Sequence, residues 1–190
     1  MDQHVNFLCR SVFLELRRIG HLRRHLTVDA TKKLVSSFVL SRLDYCNSLL
    51  AGLPENRLDR LQRVQNNAAR LVLGKRGRDL AKPSLRSLHW MPGRARIEYK
   101  ISTLCYRSRD SSAPAYLCDL SVYPPSRSLR SADSGLMTIP RIKLKKYGKR
   151  ASSHTGPVTC NSLPKPLRDA LSLPSFKSNL KTFLFKKHLY

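Results

Sequence analysis

Residues that could do chemistry are spread thinly along this chain. Its 12 acidic residues include no adjacent pair, whereas two-metal nucleotidyl transfer needs carboxylates close together. His21 and His25 are four residues apart and have two arginines between them. No neighbouring Cys or Asp completes a metal-ligand set, so a solvated pair of histidines is the simpler interpretation. Gly74-Lys75-Arg76-Gly77 lacks the spacing of a phosphate-binding loop. We therefore expect no metal, no cofactor, no small-molecule substrate and no enzymatic activity of the chain by itself.

The remaining reactive side chains indicate packing. His89 beside Trp90 could act as an acid or base, but an aromatic anchor under a turn with a hydrogen-bonded histidine explains the pair better. The 5 cysteines are widely spaced, odd in number and without a Cys-x-x-Cys pair: Cys9, Cys46, Cys105, Cys118 and Cys160. This usage is typical of reduced thiols in a cytoplasmic or nuclear protein, mostly as small core residues.

The charge balance is the unusual property of the composition. Lys and Arg number 36 against 12 Asp and Glu, which gives a formal net charge of +24. Such an excess repels itself, and an anionic partner relieves the repulsion. Nucleic acid is the first candidate because phosphate contacts release counterions, a membrane surface the second and an acidic protein the third. No apolar run approaches the roughly 18–20 residues of a spanning helix, and Met1–His4 has no basic lead into an apolar core, so we expect no membrane association.

The chain is organised around a predicted helix from Pro54 to Gly74. Proline suits a first helical residue and glycine a left-handed C-terminal cap. One apolar stripe runs along it: Leu58, Leu61, Val64, Ala68, Leu71 and Val72. Arg60, Arg63 and Arg70 lie on its other faces among amide side chains. These arginines are candidates for phosphate contact, and a solvated helix surface is the alternative.

Two further helices complete a predicted N-terminal bundle. Val5–Ile19 has an apolar helical stripe that includes Phe13 and is followed by Gly20, which predicts the helix end. Thr27 can cap a second helix, whose wide apolar stripe includes Phe38 and Tyr45 and predicts the most buried helix of the three.

The C-terminal third changes character. Ser121–Arg168 carries 10 basic residues and 1 acidic residue. Arg141, Lys143 and Lys145 alternate with apolar residues, as in a half-buried strand, and Leu136–Ile139 could be its hairpin partner. Together with Lys146 these cations are candidates for phosphate contact; the alternative is an edge strand that uses lysines against aggregation. A terminal helix is predicted over Ser175–Leu189.

The predicted fold class is therefore mainly α. It comprises a three-helix, thumb-like bundle over residues 1–74, a second small helical segment over 75–120, and a basic extension over 121–190 with a short β-hairpin and a terminal helix.

The order of several short blocks resembles the C-terminal region of the polyproteins of non-LTR (LINE) retrotransposons, in the jockey-like and chicken-repeat-like groups. The blocks include Ser41–Asn47, Gly52-Leu53-Pro54, Leu61–Asn66, Ala68-Ala69-Arg70, Leu88-His89-Trp90, Ala113-Pro114, Leu129-Arg130-Ser131, Pro140-Arg141, Gly156-Pro157, Asn161–Pro164 and Leu180-Lys181-Thr182. The family usually has tryptophan where this chain has Cys160. In that family an endonuclease and a reverse-transcriptase palm precede this region.

The resemblance implies a helical thumb and post-palm extension of an RNA-directed DNA polymerase, without the catalytic Asp-Asp hairpin. Its expected role is sequence-tolerant binding of RNA or an RNA–DNA duplex through phosphates, by Arg60, Arg63, Arg70, Arg141, Lys143, Lys145 and Lys146. Two alternatives stay open. The chain could be a relic reading frame of a decayed element, or an interaction module that docks on a reverse-transcriptase palm supplied in trans.

Overall fold

The computed structural model of the protein describes residues 1–110, 112–115, 117–118 and 136–190. Every regular element in these ranges is helical, and no strand occurs in them, which confirms the mainly α fold class. The chain divides into two compact units. The first unit comprises Met1–Asn47, Leu53–Arg96 and His188–Tyr190; the second comprises Ser48–Gly52 and Ile97–Lys187.

The first unit contains two long helices and several shorter ones. They are α1 (Asp2–Leu22), α2 (Val28–Val35), α3 (Ser41–Asp44), α4 (Glu55–Leu73) and α5 (Ala81–Ser87). A π-helical turn, Ser36–Leu40, joins α2 to α3, and a 3-10 turn occupies Arg23–His25. A second 3-10 turn, Asn47–Leu50, begins in the first unit, but its residues from Ser48 onward belong to the second.

Local sequence signals set the ends of these helices. The Thr27 side chain accepts a hydrogen bond of 3.2 Å from the Ala30 amide and so caps α2 as predicted. Pro54 is the residue before α4 rather than its first helical residue. Gly74 ends α4 with a left-handed φ of 64°. The amide of Lys75 then donates to the Arg70 carbonyl at 2.9 Å, which satisfies one of the last carbonyls of the helix.

Helices α1 and α4 pack side by side and run in the same direction. Near their starts, Arg57 binds the Asp2 carboxylate at 2.8 Å. Near their ends, the Arg23 guanidinium donates to the carbonyls of Leu71 and Val72, at 3.0 Å each. A cation at these carbonyls also suits the negative end of the α4 dipole. The core between the helices is made of small and branched residues, including fully buried Val5, Val12, Val64, Ala68 and Val72.

Several boundary and burial predictions in this unit were wrong. Helix α1 continues through Gly20 to Leu22, because a single interior glycine costs only about 1 kcal/mol relative to alanine. Phe13, Phe38 and Tyr45 are 42%, 48% and 75% exposed. The buried stripes of the first two helices are therefore narrower than the apolar pattern predicts.

The second unit contains the longer part of α6 (Gly93–Arg109), whose residues up to Arg96 belong to the first unit. Its other described helices are α7 (Lys145–Gly148), α8 (Ser152–Asn161), α9 (Lys165–Arg168) and α10 (Leu173–Leu189), of which the last confirms the predicted terminal helix. Its core is aromatic at one point, where the rings of Tyr106 and Phe176 stack with centroids 4.3 Å apart. The Tyr106 hydroxyl donates to the Ala170 carbonyl at 2.7 Å, so the buried polar end of the ring is satisfied.

The predicted β-hairpin is not supported, since neither Leu136–Ile139 nor Arg141–Lys145 is a strand. The side-chain amide of Asn161 binds both backbone groups of Met137, at 2.9 and 2.8 Å, which takes the place of a strand partner. Ile142 lies against the backbone of Gly148, where an added Cβ would come within 2.9 Å of the Ile142 Cβ. The alternating apolar residue thus packs on the helical turn that follows it.

Candidate nucleic-acid interface

Helix α4 carries all three of the arginines predicted in the N-terminal bundle, Arg60, Arg63 and Arg70. Arg60 is half-buried and donates to the Asn6 side-chain oxygen of α1 at 2.5 Å. Arg63 is exposed and makes no hydrogen bond or ion pair with any residue that the structure describes. Arg70 donates to the Asn67 side-chain oxygen at 3.0 Å and to the Asp79 carbonyl at 2.9 Å. The helix therefore brings these three predicted site residues together on one element.

The acceptors around these arginines are neutral, which distinguishes them from their neighbours. Arg57, one turn earlier on α4, is bound by the Asp2 carboxylate, and Arg94 is bound by Glu55 and Asp59. An ion pair cancels much of the local charge, whereas an amide or carbonyl acceptor leaves it in place. Arg60, Arg63 and Arg70 therefore keep their positive charge available to an external anion.

Carboxylates elsewhere in the described chain are also taken up by cations. Those in ion pairs within 4 Å are Asp2, Glu15, Asp29, Asp44, Glu55, Asp59 and Glu98. Because 36 basic residues face 12 acidic ones, this local pairing leaves most of the basic surface uncompensated.

A groove lies beside the arginines, between α1 and α4. It is lined by Arg10, Phe13, Leu14, Leu16, Arg17, Asn67 and Leu71, and its volume is about 690 Å³. The sequence pattern did not single out Arg10 as a site residue, and it placed Phe13 in the core. The sequence did contain a signal for this site: Arg10 and Arg17 are seven residues apart, or two helical turns, and therefore lie on the same side of α1.

The predicted cations of the C-terminal extension belong to the second unit. Arg141 and Lys143 are both exposed, in the irregular segment before α7. Lys145 and Lys146 belong to α7, but their side chains are not among the parts that the structure describes. Without a strand, Arg141 and Lys143 do not form the single cationic sheet face that the alternation predicted.

Two glutamines of α4 are more important to the structure than the sequence indicated. Gln65 is only 2% exposed and donates to the Met91 carbonyl at 2.7 Å. The Gln62 side-chain oxygen accepts from the Gly93 amide at 2.8 Å. These amides fix the turn before α6 instead of facing solvent. Trp90 in the same turn is 6% exposed, which confirms the predicted aromatic anchor.

Three thiols are made poorer nucleophiles by burial. Burial, with the nearby Cys160 thiol as a second cause, raises the pKa of Cys105 to about 12. Burial likewise raises the pKa of Cys160 and of Cys9. Such thiols stay protonated near neutral pH and are poor nucleophiles, in agreement with the packing role predicted for Cys105.

Histidine, cysteine and carboxylate side chains do not gather into a candidate metal centre within the described ranges. The His25 ring accepts a hydrogen bond of 3.0 Å from the Arg24 guanidinium. Among the helices that the structure describes, none combines the length and apolar character needed to cross a bilayer.

No protein-family model, curated protein or solved structure matches this chain.

Proposed function

We propose that this chain binds RNA or an RNA–DNA duplex with little sequence preference, through the phosphate backbone. The observation that carries it is the kind of acceptor that binds the α4 arginines: Arg60 and Arg70 are bound only by neutral oxygens among the described residues, and Arg63 is exposed and unpaired there. A guanidinium held by a neutral oxygen is both positioned and still charged. It can therefore donate its remaining N–H groups to a phosphate.

The spacing of these arginines suits a polyanion. Arg60 and Arg70 are ten residues apart, which is about 15 Å along a helix axis. One nucleic-acid strand presents a phosphate about every 3.4 Å of duplex axis, so the α4 surface can contact several phosphates. Phosphate contacts position a protein without reading bases, and this is why sequence tolerance is part of the proposal.

The proposed context is the thumb and post-palm region of a non-LTR retrotransposon reverse transcriptase. In that context the catalytic carboxylates lie in a preceding palm, and this chain grips the template–primer duplex but does not polymerise DNA alone. Arg141, Lys143, Lys145 and Lys146 of the extension are proposed as further phosphate contacts.

A salt titration tests the proposal directly. Fluorescently labelled single-stranded RNA and an RNA–DNA duplex, each in two unrelated sequences, are titrated with the full chain at several salt concentrations. We expect affinity to fall steeply with salt, with a log–log slope of roughly −0.7 to −0.9 for each phosphate neutralised, and to differ little between sequences. A flat salt dependence, or a strong preference for one sequence, would contradict phosphate-based binding.

A further inference from the structure

The groove between α1 and α4 exposes an apolar surface in an otherwise basic unit. Phe13 and Leu14 are 42% and 55% exposed, and Leu16 and Leu71 lie beside them in the lining. Phe7, on the same helix but outside the lining, is 72% exposed. Contiguous exposed apolar side chains in a concave site favour a partner with an apolar face.

Arginines border this apolar surface. Arg10 and Arg17 both line the groove and have no carboxylate partner among the described residues. The intervening carboxylate, Glu15, is bound by Arg18 and by Arg42. Arg10 and Arg17 are seven residues apart, or about 10.5 Å along α1. Two carboxylates that are two turns apart on an incoming helix have the same separation.

We propose that this groove binds an acidic amphipathic helix of another protein, with apolar side chains against Phe13, Leu14 and Leu71 and carboxylates against Arg10 and Arg17. Helix-in-groove recognition uses anchors at i, i+3 or i+4 and i+7, which matches a groove formed by two helices. The inference is independent of nucleic-acid binding by Arg60, Arg63 and Arg70.

The chemistry of the groove favours this occupant over two others. Of the seven lining residues, Leu14, Leu16 and Leu71 have no ring on which a nucleobase can stack, and Phe13 is the one aromatic among them. A second copy of the chain would bring a net charge of +24 toward Arg10 and Arg17. No two of its 12 acidic residues are seven positions apart, which is the spacing that would match Arg10 and Arg17.

The test uses the full chain and a synthetic, labelled peptide of about 18 residues, long enough to populate a helix. The peptide has leucines at i, i+4 and i+7 and glutamates on its other faces. A scrambled peptide of the same composition keeps the charge but lacks the apolar stripe. Binding is measured by fluorescence anisotropy, and circular dichroism checks that each protein variant is folded.

Leu14→Glu is the main variant, and Leu22→Glu is its matched control. Leu22 is on the same helix and is 54% exposed against 55% for Leu14, but it does not line the groove. A second pair compares Arg10→Glu/Arg17→Glu with Lys75→Glu/Arg78→Glu, which changes the net charge equally at exposed positions outside the groove.

We expect the stripe peptide to bind at least about tenfold more tightly than the scrambled peptide. Leu14→Glu and Arg10→Glu/Arg17→Glu should each weaken binding by about tenfold or more, and the two controls by far less. Equal effects of groove and control variants would overturn the inference, since the peptide would then respond only to net charge. Loss of oligouridine binding in Leu14→Glu, without loss of peptide binding, would assign the groove to RNA and also overturn it.

Discussion

The guanidinium of Arg60 on α4 donates a hydrogen bond of 2.5 Å to the side-chain oxygen of Asn6 on α1. One turn earlier, Arg57 reaches the same helix but meets the Asp2 carboxylate, at 2.8 Å. The two contacts tie the same pair of helices together, yet only the second cancels charge. The choice of asparagine at position 6 therefore helps leave this side of α4 cationic.

The contrast between paired and unpaired arginines gives a test of the interface. We expect Arg63→Gln to reduce the slope of log affinity against log salt by about 0.7–0.9, because one phosphate contact is lost. The control is Asp2→Asn/Arg57→Gln, which removes an ion pair and leaves the net charge unchanged; its slope should equal that of the parent chain. The measurement is the RNA salt titration. An unchanged slope for Arg63→Gln would exclude this residue from the interface.

The glycine at the end of α4 is required by its backbone conformation. Gly74 has φ 64°, a region in which a side chain costs about 1–2 kcal/mol. We expect Gly74→Ala to lower the free energy of unfolding by about that amount, as measured by urea denaturation. Gly77→Ala is the control, since no heavy atom lies within 4 Å of its added Cβ, and it should change stability by less than about 0.5 kcal/mol. Equal effects at the two positions would contradict the capping role.

A second glycine is fixed by packing. An added Cβ at Gly156 in α8 would lie 2.9 Å from the Sγ of Cys105. We expect Gly156→Ala to destabilise the chain by about 1–2 kcal/mol, as overpacking does. In a Cys105→Ala background the same change should become neutral or stabilising, because alanine is otherwise the better helix former. Urea denaturation of the four proteins of this double-mutant cycle measures the coupling; purely additive effects would show that the two residues do not meet.

Buried thiols make stability fall at alkaline pH. The pKa of Cys105 rises from 9.0 to about 12 in the folded chain. Above pH 9 the unfolded chain loses this proton while the folded chain keeps it, so the unfolded state binds fewer protons and the free energy of unfolding decreases as pH rises. The contribution of this thiol is complete below pH 9 and is lost progressively up to about pH 12.

We expect Cys105→Ala to flatten this alkaline decline, as measured by urea unfolding at pH values on both sides of 9. Cys46→Ala is the control, because this thiol is exposed. A parent chain whose stability does not fall over this range, or a Cys105→Ala decline equal to that of the parent, would contradict the buried, protonated thiol.

The features that the sequence predicted well are determined by neighbouring residues. Thr27 caps a helix through an amide three residues away, and Gly74 ends α4 through its own backbone freedom. The burial of Phe176 and Leu180 in the terminal helix follows from the local apolar period.

Features that depend on distant residues were not predictable in this way. The burial of Gln65 was not predicted, because its acceptor, the Met91 carbonyl, is 26 residues away. The hairpin prediction at Leu136–Lys145 was wrong because Asn161, 24 residues further along the chain, supplies the hydrogen-bond partner of the Met137 backbone. Phe13 belongs to the apolar stripe of α1, but the sequence pattern does not indicate whether another helix covers that side chain. The groove, with Arg10 and Arg17 at its border, was missed for that reason.

The parallel arrangement of α1 and α4 has a consequence for how the first unit folds. Two consecutive antiparallel helices can meet across a short loop, but the contacts Arg57–Asp2 and Arg60–Asn6 join residues 55 and 54 positions apart. The chain loses the entropy of closing that long loop before these contacts form. Assembly of this unit should therefore be slower than that of an up-and-down bundle of equal size, since folding rates fall as contacting residues become more distant in sequence.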